Sequence, residues 1–294
     1  MIDLHCHILP GLDDGATDLG VSLDMARAFV EDGVSVVACT PHILPGLYHN
    51  TGPAIREAVE DLQQHLDQEE ISLTLTTGSD AHMTPDFLAG LQSGKVLSLA
   101  DTRYVLVEPP HHTAPPQLEE FFFKLLVGGY VPILTHPERL SWVQSRYGVI
   151  QRLVQAGVWM QITAGSLTGA FGRTALYSAE RMMQEGCVHI IATDAHDATR
   201  RLPNLAAGRA AAARLVGDEE AEHLTMTRPA GVLRDDPPSD LPLPVPAVGS
   251  SGGSHGNDAT RQQPRVRAVG QDRDDEPAAG GMRGFADRLR RLLG

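Results

Sequence analysis

Ile2-Asp3-Leu4-His5-Cys6-His7-Ile8-Leu9-Pro10-Gly11-Leu12-Asp13-Asp14-Gly15 opens the chain. A short apolar segment carrying His-x-His reads as a β-strand. Side chains alternate along a strand, so His5 and His7 project from one face while Cys6 projects from the other. Two imidazoles aimed at one point suit a metal ion, although a lone pair of histidines near an N-terminus is commonly incidental. The spacing of similar residues further along the chain decides between these readings.

Each later candidate follows a stretch that reads as a strand. Val34–Cys39 runs into Thr40-Pro41-His42, and Ile71–Thr76 runs into Gly78-Ser79-Asp80. Tyr104–Val107 ends at Glu108, Val131–Thr135 at His136, Val158–Ile162 at Thr163, and Val188–Ala192 at Asp194 and His196. Between them lie amphipathic helical patterns over Leu19–Asp32, Pro53–Glu69, Pro115–Gly128, Gln144–Ala156 and Arg173–Glu185, several closed by glycine. Strands alternating with helices predict an α/β fold with a parallel sheet. Seven strands of this kind predict a parallel (β/α) barrel, which gathers polar residues at the C-terminal ends of its strands. A single His or Asp after a strand is often a turn former or a helix N-cap, and Asp14 and Asp194 can each be read so. Chance is a poor account of six strand ends out of seven that carry a ligand type, with only the Thr163 end lacking one.

About 230 residues suffice for one such barrel. The composition predicts a barrel over 1–233, a disordered linker rich in Pro, Gly, Ser and Asp over 234–281, and a short basic amphipathic segment over 282–294. That last segment is too short to be a stable helix alone and reads as a frayed tail or as a docking element for a partner or an acidic lipid surface. The net charge is −13, and from Asp235 onward nine acids face eight bases, so the barrel carries nearly all of the excess. Such a surface disfavours binding along a nucleic-acid backbone. With no apolar leader and no apolar span of membrane length, a cytoplasmic location is expected. Cys6, Cys39 and Cys187 lie in strand-like contexts without a Cys-x-x-Cys pair, as expected of reduced buried thiols.

A cluster of His and carboxylate ligands suits Mn, Fe or Zn and, with them, hydrolysis. Arg139, in His136-Pro137-Glu138-Arg139, and Arg201, five residues past His196, stand beside two ligand loops. A planar guanidinium binds phosphate oxygens through two hydrogen bonds, so the pair points to a phosphoester; a solvated arginine paired with an acid is the plainer alternative. Leu12, Pro45 and Thr193 stand six positions after the three cysteines, so no Cys-x5-Arg loop exists.

His5-x-His7 with Leu9-Pro10-Gly11-x-Asp13-Asp14-Gly15, Thr40-Pro41-His42, His136-Pro137-Glu138-Arg139 and Asp194-Ala195-His196 resembles the polymerase-and-histidinol-phosphatase (PHP) superfamily. Within it, the match is to the bacterial manganese-dependent protein-tyrosine phosphatases of capsule and exopolysaccharide biosynthesis, over residues 1 to about 233. The resemblance implies a distorted seven-stranded barrel with up to three divalent ions, Mn²⁺ foremost, with Fe or Zn as alternatives. It implies that His5, His7 and Asp194 hold one ion, Glu108 and His136 a second, and Asp14, His42 and His196 a third. Asp80 stands where the family usually has a glutamate bridging the first two, and is one methylene shorter. Arg139 and Arg201 fall at the phosphate-clamping positions. Arg228-Pro229 replaces the usual Asn-Pro, with no catalytic consequence expected.

The implied reaction is in-line attack of metal-activated water on phosphotyrosine of a protein, the substrate being the tail of an autophosphorylating tyrosine kinase of polysaccharide export. The leaving phenolate has a conjugate-acid pKa of about 10, so no general acid is assigned. His111 and His112 read as surface-loop residues near the pocket mouth, and His49, His65, His82, His189 and His223 as structural or solvated. A related phosphoesterase acting on histidinol phosphate or another small phosphomonoester is the nearest competitor, and a non-catalytic binding protein a more distant one. The acidic barrel argues against a nuclease. A carbamylated-lysine amidohydrolase has no suitable lysine, since Lys95 falls in a loop and Lys124 in a helix.

Overall fold

In the computed structural model the described residues are 1–247. Ten strands run β1 (Ile2–Cys6), β2 (Val36–Cys39), β3 (His42–Leu44), β4 (Tyr48–His49), β5 (Thr74–Thr77), β6 (Asp80–His82), β7 (Tyr104–Glu108), β8 (Val131–Thr135), β9 (Trp159–Thr163) and β10 (Ile190–Ala192). One sheet has the order β1-β2-β5 and the other β10-β9-β8-β7-β6-β3-β4; every pairing is parallel except β3 with β4.

The two sheets are one barrel whose second and third staves are bent. Proline has no N–H to give a ladder, and Pro41 separates β2 from β3. Gly78 separates β5 from β6 at a close approach, where a Cβ would lie 2.9 Å from both Leu99 Cδ2 and Thr40 Cγ2. The barrel closes between its first and last staves: Asp194 N donates to His5 O at 2.9 Å and His7 N to Ala195 O at 2.9 Å. The seven expected strands are therefore seven staves, two of them broken. The antiparallel hairpin β3–β4 was not foreseen, because strands of three and two residues carry no readable periodicity.

The helices are α1 (Leu19–Glu31), α2 (Gly52–Gln68), α3 (Phe87–Gln92), α4 (Leu118–Val127), α5 (Tyr147–Gln155), α6 (Ala164–Leu167), α7 (Gly172–Gln184), α8 (Leu205–Val216), α9 (Asp218–Glu222) and α10 (Arg228–Leu233). The outward residues of the strands, such as Val105, Val107, Leu134, Met160 and Ile162, pack with helix residues such as Phe29, Leu62, Phe122 and Ile150. A second buried cluster, including Leu4, Leu106, Ile133, Trp159 and Ile190, is joined by Val232 of α10 and Leu241.

Residues just past 233 pack against the base of the barrel. Arg103 binds the Asp235 carboxylate through its backbone N–H at 2.7 Å and its Nε at 2.9 Å, and Tyr104 Oη donates to Asp236 O at 2.7 Å. Leu241 is buried and Arg228 Nε donates to Pro242 O at 2.7 Å. A few anchors hold this strap, and composition averages them away. The remainder of the expected linker and the basic segment 282–294 lie outside the described residues. All three cysteines are buried and free. Among the described residues no helix is long and apolar enough to cross a membrane.

Candidate metal centre

The nine expected ligands converge at the C-terminal end of the barrel. His5 lies on β1, within an irregularity in its pairing with β2 between Asp3 and Cys6. Such an irregularity re-aims side chains locally. His5 Nε2 and His7 Nε2 lie 3.2 Å apart, and Asp194 Oδ1 stands 3.5 Å from the first and 3.3 Å from the second. Asp14 Oδ1 lies 3.5 Å from His42 Nε2 and 3.4 Å from His196 Nε2. Glu108 Oε1 is 3.7 Å from His136 Nε2. Asp80 Oδ2 lies 3.4 Å from both His5 Nε2 and His42 Nδ1. The three expected ligand groups are thus each brought together, and His7 also falls within reach of the Asp14, His42 and His196 group.

Supporting residues orient three of these rings. His5 Nδ1 is 2.9 Å from Gln161 Oε1, His7 Nδ1 is 2.6 Å from Asp13 Oδ2, and His196 Nδ1 is 3.0 Å from Asp194 O. In each case Nε2 faces the centre of the cluster, as a metal-binding imidazole does when its other nitrogen is engaged. Asp13 also accepts from His42 N at 2.9 Å, tying two ligands to one carboxylate. The loop carrying Asp13 and Asp14 folds back on β1 because residue 15 is glycine: a Cβ there would lie 2.1 Å from His7 O. His136 and Asp194 have φ of 33° and 51°, the left-handed region that non-glycine residues rarely occupy. Strain of this kind persists where surrounding contacts fix it and is common at functional sites.

Burial and neighbours shift protonation among these groups. Burial alone would raise the Asp194 carboxyl, but His5, His7, Arg139 and Arg201 hold it well below its ordinary value. Glu108, likewise opposed by burial, is held down by His111, His82 and His136. Burial lowers His136, reinforced by Arg139, and lowers His42 and His196, reinforced by His7, so all three favour the neutral, metal-binding form. At His7 the opposing effect of burial is overcome by Asp13 and Asp194, and the ring is held well above its ordinary pKa.

Whether this donor set fits divalent ions can be judged from unmatched atoms. Both oxygens of Asp80, Glu108 Oε2 and His42 Nδ1 are buried with no hydrogen-bond partner, and His42 Nδ1 lies 3.4 Å from Asp80 Oδ2 and 3.3 Å from Glu108 Oε2. Buried polar atoms are ordinarily paired, so a converging group of unpaired N and O donors fits cations of the Mn, Fe or Zn class.

Both arginines reach the centre. Arg201 Nη2 donates to Asp194 Oδ2 at 2.6 Å, and Arg139 Nη1 contacts the same oxygen. Phe171 lies beneath them, its ring centroid 4.4 Å from Arg139 Cζ and 5.9 Å from Arg201 Cζ.

Several residues here carried no assigned role in the sequence. The Thr163 end of β9 supplies support in place of a ligand: Gln161 holds His5, and Thr163 N donates to Glu138 Oε1 at 2.9 Å. His82, read as structural or solvated, has Nε2 only 2.5 Å from Glu108 Oε2, and His111, read as a loop residue, has Nε2 3.0 Å from Glu108 Oε1. His82 follows Asp80 by two on one strand, the same i, i+2 signal that marked His5 and His7. Tyr48, on the unforeseen hairpin, stacks on His42 with ring centroids 5.6 Å apart. His189 is structural as expected, stacked on Trp159 at the opposite end of the barrel.

Comparison with known proteins agrees with this geometry. The model of the family described as "Capsular polysaccharide synthesis, CpsB/CapC" matches residues 1–234. Tyrosine-protein phosphatase YwqE of Bacillus subtilis is 38% identical over 201 residues, covering 68% of this chain and 79% of that protein. Tyrosine-protein phosphatase CpsB of Streptococcus pneumoniae is 24% identical over 240 residues, covering 80% of this chain and 99% of that protein. A crystal structure from work on YwqE and CpsB, described there as unique metal-dependent tyrosine phosphatases, matches with a TM-score of 0.79 and 34% identity over 84% of this chain and 99% of its own. The shared fold and the family match over nearly the whole barrel mean that this chain belongs to the CpsB/CapC family of capsular polysaccharide synthesis.

Proposed function

We propose that the chain is a metal-dependent protein-tyrosine phosphatase. His5, His7, Asp14, His42, Asp80, Glu108, His136, Asp194 and His196 hold up to three ions, Mn²⁺ foremost, and Arg139 and Arg201 bind the phosphoryl group. The observation that carries this reading is the meeting of both guanidinium groups with the ligand cluster at one carboxylate, Asp194. When bound, divalent ions at such a site bring water towards ionisation near neutral pH and offset phosphoryl charge.

The chain's own residues position the reactants. Arg139 and Arg201 present N–H donors at one point beside the ligands, where a phosphate oxygen offers the same kind of anionic acceptor as Asp194 Oδ2. Phe171 packs against the nearer guanidinium. The thiols take no part: burial raises Cys6 far above its ordinary pKa and raises Cys39 as well. Phenolate leaves readily enough that a buried general acid is unnecessary.

The proposed substrate is phosphotyrosine on a protein, with an autophosphorylating tyrosine kinase of polysaccharide export as the partner and the cytoplasm as the location. The relatives' names and the capsular family support this choice. The proposed phosphatase module is residues 1–233, with the strap up to 247 closing its base.

The test is phosphate release from a phosphotyrosyl peptide with Mn²⁺ or with EDTA, with His136→Ala as control and histidinol phosphate as competing substrate. Mn²⁺-dependent release, lost in EDTA and in the variant, is the expected result. Turnover of histidinol phosphate alone would move the chain to another phosphoesterase activity, and no turnover of either would sink the enzymatic reading.

A further inference from the structure

We propose that His82 is itself a ligand to one of the bound ions, completing with Glu108 a position beside His42. This rests on reading the cluster as a divalent-metal centre. On β6, Asp80 and His82 share a face because side chains alternate along a strand. The ligand atoms of His42, His82 and Glu108 all lie within 4.8 Å of one another. Ligand atoms about 2.0–2.2 Å from a common ion fall within such a span.

The local hydrogen bonding distinguishes His82 from its neighbour His111. His111 Nε2 makes an ordinary hydrogen bond to Glu108 Oε1 at 3.0 Å, which orients the carboxylate. His82 Nε2 approaches the other oxygen, Oε2, to 2.5 Å, yet that oxygen is buried and has no aligned hydrogen-bond donor. His42 Nδ1 lies 3.3 Å from the same oxygen and is also unpartnered. His82 Nε2 and Glu108 Oε2, drawn together on this side, are satisfied at once by a shared cation, while the His42 ring, whose Nε2 faces Asp14 and His196, flanks that position.

Asp80 does not serve this side of the centre equally. Its carboxylate pairs with His5 and His42, and among the described residues it makes no ion pair with His136. The Glu108 side therefore needs another nitrogen donor, and His82 is placed to supply it.

The experiment strips the full chain with chelator, then titrates it with Mn²⁺ and counts bound ions in the parent, in His82→Ala and in His112→Ala, an exposed neighbouring histidine. The expected result is one ion fewer, or one ion held at least about tenfold more weakly, in His82→Ala alone, since even residues that only support ligands change affinity by about 10–100-fold. The second variant, His82→Cys, is loaded with Co²⁺, and a thiolate-to-cobalt absorption band would show that side chain 82 is bonded to the ion even if His82→Ala folds poorly. Equal ion counts and affinities in parent and His82→Ala, with no such band in cobalt-loaded His82→Cys, overturn the proposal. A parent chain that holds no Mn²⁺ at all overturns the metal-centre reading as well, and the two failures are thereby told apart.

Discussion

The two ends of the barrel bury charge in opposite ways. At the C-terminal end, Asp80, Glu108 and His42 keep buried atoms with no protein partner. At the N-terminal end, Arg228 is fully buried yet bonded on every side: to Glu220 at 2.8 and 2.9 Å, to Pro242 O at 2.7 Å and to His189 O at 3.3 Å. Both ends are polar and enclosed, so burial alone does not mark the functional one. The difference lies in satisfaction: Arg228 is complete without any further group, whereas the mouth is arranged for something that the chain does not supply. This is the division between stability at the bottom of a barrel and chemistry at its top.

The largest effect that tests this division is at the mouth. Arg139→Ala and Arg201→Ala should each lower kcat on a phosphotyrosyl peptide by about 10²–10³-fold, the usual cost of removing one preorganised donor to developing charge. Urea unfolding should show much smaller changes in stability. A loss of stability as large as the loss of rate would mean that these arginines serve the fold.

The reverse is expected at the base. Arg228→Met removes one partner of a buried ion pair and leaves Glu220 uncompensated, which costs about 3–5 kcal/mol. The midpoint of urea unfolding reads this directly. Turnover at 25 °C and the number of bound Mn²⁺ ions should stay at parental values, and a fall in either would erase the distinction between the ends.

The base also predicts a pH dependence. His189 is stacked on Trp159, faces Arg228 and accepts from Met160 N at 3.1 Å; burial, reinforced by the Arg228 charge, lowers its pKa to about 3. Above the unfolded value of about 6.5 the ring is neutral in both states, and its contribution is fully present. As pH falls, the unfolded chain takes up the proton first, and stability declines by up to about 1.4 kcal/mol per pH unit until the folded pKa is reached. Between pH 7 and pH 5 the parent should therefore lose roughly 2 kcal/mol more than His189→Gln does. Parallel losses in the two proteins would show that His189 does not report the closed base.

The same contrast explains what could be read from the chain alone. Candidate ligands at strand ends are legible because a strand fixes the direction of its side chains and each stave delivers a residue to the same rim. Arg139 and Arg201 were visible for the same reason, being close in sequence to ligands. Gln161, Asp13 and Phe171 were not, because their importance comes only from what lies opposite them in space. His82 did carry a signal, Asp-x-His at strand spacing, but the strand was expected to end before it; Gly78 breaks the stave and starts a new strand at Asp80. At the base, Arg228-Pro229 carries the expectation of no catalytic consequence, and its structural part was not legible, since nothing in the sequence shows that Glu220, His189 and Pro242 would meet around Arg228.

The smallest effect concerns how firmly the mouth holds its arginines. Phe171 lies 4.4 Å from Arg139 Cζ and packs so closely on α6 that a Cβ on Gly165 would fall 2.8 Å from its ring. A guanidinium over an aromatic face gains about 0.5–2 kcal/mol depending on its exposure. Phe171→Leu retains apolar bulk but removes the ring, and should raise KM for the phosphotyrosyl peptide about threefold to tenfold, within that range. Phe171→Tyr keeps the face and should stay near the parent, and neither change should alter the Mn²⁺ count. An unchanged KM in the leucine variant would reduce Phe171 to a packing residue and leave Asp194 as the anchor that sets both arginines.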